Sequence, residues 1–357
     1  MFTIQDVIAA IAVVFDALTQ AIYAMSFGFL MVPTAIAYVI GIAGMLAYGS
    51  FLPISMQAET IALTGTMGKN LKERLSIILY AGIIMVALGA MGALQALVDF
   101  AGDSVIYGMM AGVGIILTKI AIDFVRSAKL VGGISIVVAL AVYFLSGNLV
   151  YAIVASVVAA SAVFIYRNKG PQEVEQQKYK FAIHKPTINP NIIRATLAVT
   201  CLTIGANIAF GNITASMAGA EANIDGLTVY SGIANVGSAL FGGAPIEAII
   251  SPTAAAPNPM FAGILMMAIM AVLLVTGMVP KIARFVPVQA IAGCLFVIGA
   301  VLTIPVNTFF AFYGAEAAEV LGGGMAIAIT ALADPFLGLV AGIAMRIIAQ
   351  VLGLGFY

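Results

Sequence analysis

Charge is what this chain lacks most: Asp, Glu, Lys and Arg together make up 8% of its 357 residues, and fifteen basic side chains balance fifteen acidic ones. Soluble domains carry roughly 25% charged residues, so a water-exposed surface cannot be built from this composition. Zero net charge also removes the basic footprint that nucleic-acid binding needs. There is no Trp, a single His and only two Cys. Cys201 and Cys294 both lie inside apolar runs and read as small buried hydrophobes in place of a disulfide or metal pair. Without Trp, anchoring at the membrane interface falls to Tyr residues such as Tyr23, Tyr48, Tyr166, Tyr230 and Tyr313. No nucleophile–base pair, metal-ligand cluster or phosphate loop stands out, so neither an enzyme nor a bound cofactor is expected.

What the chain has is apolar length. Hydrophobic residues reach 63%, and at about 20 to 25 residues per span and turn the length allows about fourteen membrane spans with no soluble domain. Apolar runs fall at 4–24, 27–48, 51–67, 75–97, 103–125, 129–146 and 148–166. The polar linker 167–190 follows, holding His184, and then runs at 191–210, 224–241, 243–257, 259–280, 286–304, 309–331 and 335–354. The first run lacks the basic flank and cleavage site of a signal peptide and reads as the first span. An integral protein of a bacterial inner membrane is the expectation.

Seven runs on each side of one linker suggest a duplication. At an offset of 185, Phe100, Ile106, Gly108, Gly114, Leu117 and Thr118 match Phe285, Ile291, Gly293, Gly299, Leu302 and Thr303. An odd number of spans per copy forces the copies into opposite orientations across the membrane. The fold expected is therefore all-α and polytopic, fourteen spans as a 7+7 inverted repeat, with 1–166 and 191–357 as the two repeats. In transporters of this plan the solute site lies near the midplane between the repeats.

The third and tenth runs are short and broken. They read Gly49-Ser-Phe-Leu-Pro53-Ile-Ser55-Met-Gln57-Ala-Glu59-Thr60 and Gly242-Gly243-Ala-Pro245-Ile-Glu247-Ala-Ile-Ile-Ser251-Pro-Thr253, at the same place in each repeat. Interruptions at corresponding positions point to a binding site. Pro53 and Pro245 predict an extended stretch followed by a half-helix in each case. Ser55 and Glu247 lie two residues after their proline, and Glu59 and Ser251 six after, so each Ser/Glu pair is expected on one helical face with the carboxylate of one repeat opposite the hydroxyl of the other. A midplane carboxylate is a functional hypothesis by default. With no Lys or Arg close in sequence, Glu59 and Glu247 are expected to protonate reversibly, as proton coupling requires.

Weaker candidates surround these. Asp16 divides between the cavity and a headgroup position. Thr203, Asn207 and Asn212 could bond a solute or a neighbouring helix. Glu316 and Glu319 read as interfacial, and Gly108-x-x-x-Gly112 and Gly322-Gly323-Gly324 as close-packing positions.

Ser238-Ala-Leu-Phe-Gly-Gly-Ala-Pro245 followed by a carboxylate resembles the ninth-to-tenth-span signature of the nucleobase/ascorbate transporters, the xanthine/uracil permease family. Tyr48-Gly-Ser-Phe-Leu-Pro-Ile54 is similar to the start of the third span in its adenine/guanine/hypoxanthine branch. The resemblance implies a core domain from 1–97 and 191–280, a gate domain from 98–166 and 281–357, and elevator-like movement of core against gate. It implies a nucleobase as solute, H+ or Na+ as coupling ion, and dimerisation through the gate. The family's tenth-span glutamate sits about six residues after the motif proline, where this chain has Ser251, and its eighth-span carboxylate is replaced by Thr203, Asn207 and Asn212.

On that reading Glu247 accepts from ring N–H groups, Ser55, Ser251, Gln57 and Asn207 complete the polar shell with Glu59, and Glu59 or Glu247 takes the proton. Pro53, Gly242, Gly243 and Pro245 shape the breaks. The alternative keeps the fold and changes the solute to an anion or small carboxylate, as in sulfate and bicarbonate carriers; two ionised carboxylates would repel an anion, which ranks it second. A channel is the third reading. The loops after spans three, five, seven and eleven gather nearly all the basic residues on one face. The positive-inside rule puts both termini outside, whereas the family resemblance implies cytoplasmic termini.

Overall fold

The computed structural model describes residues 3–171 and 183–353, so the middle of the polar linker lies outside the described residues. Sixteen α-helices occupy them. The first eight are α1 (Ile4–Ser26), α2 (Met31–Tyr48), α3 (Ala58–Met67), α4 (Leu71–Ala90), α5 (Leu94–Ala101), α6 (Asp103–Ser127), α7 (Lys129–Ser146) and α8 (Leu149–Asn168). After the linker come α9 (Pro190–Met217), α10 (Ile224–Leu240), α11 (Pro259–Val275), α12 (Met278–Ala283), α13 (Ala292–Phe296), α14 (Ile304–Phe312), α15 (Ala317–Leu332) and α16 (Pro335–Leu352). A π-helical stretch, Val297–Thr303, joins α13 to α14. Helix starts follow local capping chemistry. Thr3 and Asp6 form a reciprocal capping box on α1, while Asn189 and Asp334 cap α9 and α16 just before a first-turn proline.

Nine helical stretches among the described residues are long and apolar enough to cross a membrane, and α11 and α15 are shorter apolar helices. At about 1.5 Å per residue the ten residues of α3 reach roughly half of a 30 Å hydrocarbon core. The helices pack in two groups. In one, α10 lies on α4 and α2, α11 on α2 and α1, and α9 on α4 and α3. In the other, α15 lies on α16 and α6, α14 on α6, and α7 on α8 and α13. The groups touch where α9 meets α16 and α6 and where α1 meets α8.

Small residues set these approaches. A Cβ on Gly108 would overlap the backbone of Gly323, and one on Gly299 would stand 2.7 Å from the Gly114 carbonyl oxygen. The close-packing reading of Gly108 and Gly323 therefore holds, whereas Gly324 is not a close-packing position, since a Cβ there would meet nothing within 4 Å. Gly114 and Gly299, matched at the offset of 185, also meet in space. Cys201 and Cys294 are buried free thiols. One expectation changes: Tyr23 and Tyr230 are interior side chains with about 1% exposure, not interface anchors. His184 of the linker is half-buried, its backbone N–H bonded to the Leu240 carbonyl at 2.8 Å.

Candidate solute site

The two Gly/Pro breaks meet in the interior. Pro53 and Pro245 each precede a two-residue strand, β1 (Ile54–Ser55) and β2 (Glu247–Ala248), and these pair antiparallel with Ser55 opposite Glu247 and Ile54 opposite Ala248. Proline withholds a donor and drives its predecessor extended, so neither segment can satisfy its own backbone helically; pairing with the other break supplies part of the missing bonding.

Side chains supply much of the rest. Asn235 mimics a strand partner for Ile246, donating to its carbonyl and accepting from its N–H, both at 2.8 Å. Thr34 accepts from Ala244 N–H at 2.8 Å and Ser238 donates to the Ala244 carbonyl at 2.7 Å. On the other break Tyr230 donates to the Leu52 carbonyl and Tyr38 accepts from Met56 N–H at 3.4 Å. Gly242 turns the chain at φ 97°, a conformation that side chains disfavour. Gly243 lies so close to the Thr34 backbone that a Cβ there would sit 2.7 Å from its nitrogen.

The predicted site residues fall as follows. Glu247 and Ser251 are fully buried, Glu59 and Ser55 are 2% exposed, and Gln57 is the buried N-cap position of α3. Thr60 donates its hydroxyl to Glu247 Oε1. The second oxygens of Glu59 and Glu247 have no hydrogen-bond partner among the described residues, and no ion pair there involves either acid. Asp16 lies on α1, which packs on α3, the helix that carries Glu59. The site thus holds acceptors with few donors, an arrangement suited to taking up a proton.

Several assignments change. Ser55 and Glu247 stand on strands and Ser251 caps a 3₁₀ turn, Pro252–Ala255, so the Ser/Glu pairs do not share a helical face. No half-helix follows β2, because Pro252, Pro257 and Pro259 deny the i→i−4 donors that one would need. Ser55 bonds Tyr38 at 2.8 Å and Ser251 bonds Thr253 at 2.7 Å. Asn207 donates to Thr228 at 3.0 Å and accepts from Ala248 N–H at 3.4 Å, so it positions β2. Glu319 pairs with Arg346 at 3.2 Å, and Glu316 is the N-cap position of α15. Sequence reading missed Thr60, Tyr38 and Asn235. Tyr38 and Tyr230 share the 192-residue offset of Pro53 and Pro245, which is the signal that could have found one of them.

A cavity of about 860 Å³ adjoins this crossing. Asp16, Asn212 and Asn307 line it together with Ile250 and Pro252, just beyond β2, and it extends to Asn148 in the α7–α8 loop and Ser216 near the end of α9. That is the face opposite the basic loops. At the basic face, Arg194 of α9 grips fully buried Asp334 at the start of α16 through Nη2 at 2.6 Å and Nε at 2.7 Å.

No protein-family model and no curated relative match the chain. Solved structures do. The transmembrane domain of a cyanobacterium bicarbonate transporter, BicA, superimposes with a TM-score of 0.70 at 16% identity, over 95% of this chain and 95% of that one. SLC26A9 gives 0.73 at 13% identity, and the murine SLC26A9 anion transporter in its inward-facing state gives 0.71 at 14%. Each covers 99% of this chain; the chain spans 66% and 69% of their lengths.

The chain is thus an integral membrane protein with the fold of these transporters. The resemblance to nucleobase/ascorbate transporters, and the nucleobase with it, is corrected by this likeness to bicarbonate and anion transporters. The quoted segments encode a Gly-Gly-Ala-Pro backbone break whose groups bond to Thr34, Ser238 and Asn235; that geometry serves the fold and carries no information on the solute.

Proposed function

We propose that this protein is a secondary carrier of a small anion, built as fourteen spans in two inverted seven-span repeats, with spans three and ten interrupted at β1 and β2. The α1–α4 and α9–α11 group is the core that carries the site, and the α6–α8 and α13–α16 group is the gate against which it moves. A homodimer through the gate belongs to the same reading. The observation that carries it is the buried crossing of two broken segments, with Glu59 and Glu247 lacking cationic partners among the described residues, in a fold shared with bicarbonate and anion transporters.

Two ionised carboxylates would repel an anion, so the reading requires them to be neutralised when it binds. Protonation of Glu59 and Glu247 does this and couples anion entry to proton entry, while the first turn of α3 contributes the positive end of its dipole. Gln57 and Thr60 complete the polar shell from the same turn. Sodium is the competing coupling ion.

The test is uptake of labelled sulfate, bicarbonate and malonate into proteoliposomes, with and without an inward proton gradient and with sodium replaced by potassium. Saturable uptake of at least one of them, faster under the proton gradient and indifferent to sodium, is expected. In the double variant Glu59→Gln, Glu247→Gln the gradient should cease to matter. Absence of saturable uptake for every anion overturns the reading, and a strict sodium requirement overturns the proton assignment.

A further inference from the structure

The cavity beside the crossing has the wrong walls for an inorganic ion. Its 860 Å³ lies within the range of small-molecule pockets, ~300 to 1,000 Å³. Phe210, Ile213, Leu302, Val306 and Phe310 are among the apolar side chains that line it. Its lining contains no Lys, Arg or His, and its one ionisable acid is Asp16. An oxyanion such as sulfate or bicarbonate would surrender hydration to these apolar walls with no apolar part to gain from them, which opposes binding. A solute with an apolar body gains from the same walls, because each methylene buried there leaves water.

Position completes the argument. Ile250 and Pro252 place the cavity directly beyond β2, which carries Glu247, and α1, which carries Asp16 in the cavity wall, packs on α3, which carries Glu59. We propose that the transported solute is an organic carboxylate with an apolar body, its carboxyl group directed to the crossing at Glu59 and Glu247 and its body lying between Phe210, Leu302, Val306 and Phe310. This rests on the anion-carrier reading. The carboxyl group shares a proton with the buried acids, and Asn212 and Asn307 provide the amide dipoles along its approach.

The test measures binding to the purified protein in nanodiscs, by calorimetry at fixed pH and ionic strength, for acetate, butanoate, hexanoate, benzoate, sulfate and bicarbonate. Affinity should rise about fourfold per added methylene from acetate to hexanoate, with benzoate near hexanoate and the inorganic ions weakest. Val306→Trp fills part of the cavity; it should weaken hexanoate and benzoate at least tenfold and leave acetate within about threefold, with the unliganded melting temperature as the check on folding. Sulfate or bicarbonate binding as tightly as hexanoate, or a flat series, overturns the organic solute while leaving an anion carrier standing. Binding of none of the six overturns both. Equal loss of every acid in Val306→Trp overturns the placement of the body in this cavity.

Discussion

At the residue scale the crossing is held by side chains that stand in for missing backbone partners, and Asn235 is the clearest case. Its amide satisfies both the N–H and the C=O of Ile246. Asn235→Ala would orphan both in a buried setting, at roughly 1 to 3 kcal/mol for each group. We expect a fall in melting temperature together with loss of solute binding, since β2 is no longer fixed; unchanged binding would show that β2 is held without it. Asn235→Asp keeps the acceptor and loses the donor, so it should fall between the two. Thr60 makes a narrower prediction. Its hydroxyl donates to Glu247, so Thr60→Val should spare folding and shift the pH profile of uptake toward higher pH, because removing a donor to a carboxylate favours its protonated form. Thr60→Ser should restore the profile.

At the scale of elements, what was legible from the residues was the punctuation. Gly and Pro at 49–53 and 242–245 marked the two breaks, and their identical place in each repeat brought Ser55 and Glu247 into one neighbourhood. The course of the chain after each break was less legible. Spacing of four implies a shared helical face only where a helix exists, and Pro252, Pro257 and Pro259 leave the second break a single 3₁₀ turn. The identity of the solute was not legible at all, because the motif residues serve backbone geometry. The pairing partners Tyr38 and Asn235 lie on α2 and α10, and only tertiary structure brings those helices to the breaks.

The element-scale prediction concerns the π-helical stretch. Val297–Thr303 crosses α6 where Gly299 faces the Gly114 carbonyl, and Leu302 and Thr303 from the same stretch line the cavity. Such bulges re-aim side chains within a helix. Gly299→Leu should push this stretch off α6 and lower the melting temperature, in keeping with the roughly 1 to 3 kcal/mol typical of overpacking. The same substitution at Gly324, where nothing lies within 4 Å, should be close to neutral.

At the scale of the whole molecule, the two ends of the bundle differ. The cavity reaches Asn148 and Ser216 on the face away from the basic loops, and on the basic face Arg194 and Asp334 tie α9 of one helix group to α16 of the other. Asp334 is fully buried and also caps α16 through Leu337 N–H at 2.9 Å, whereas Arg194 is about half exposed. Removing the guanidinium strands a buried carboxylate, so Arg194→Gln costs stability, roughly 1 to 3 kcal/mol once the exposure of Arg194 is discounted from the 3 to 5 typical of a fully buried pair. Asp334→Asn keeps the cap with no charge to strand and should cost less.

The same bridge biases which face is open if core moves against gate, because it exists only while α9 and α16 are together at the basic end. A bias of 1 kcal/mol is about a fivefold change in population. Ser216→Cys at the cavity mouth, labelled with a membrane-impermeant thiol reagent applied to the non-basic face, reports that population, as both native cysteines are buried. Labelling should slow about fivefold or more when Arg194→Gln is added, and saturating solute should slow it further. An unchanged rate would show that the bridge contributes stability alone and that the open face is set elsewhere in the contact between the two groups.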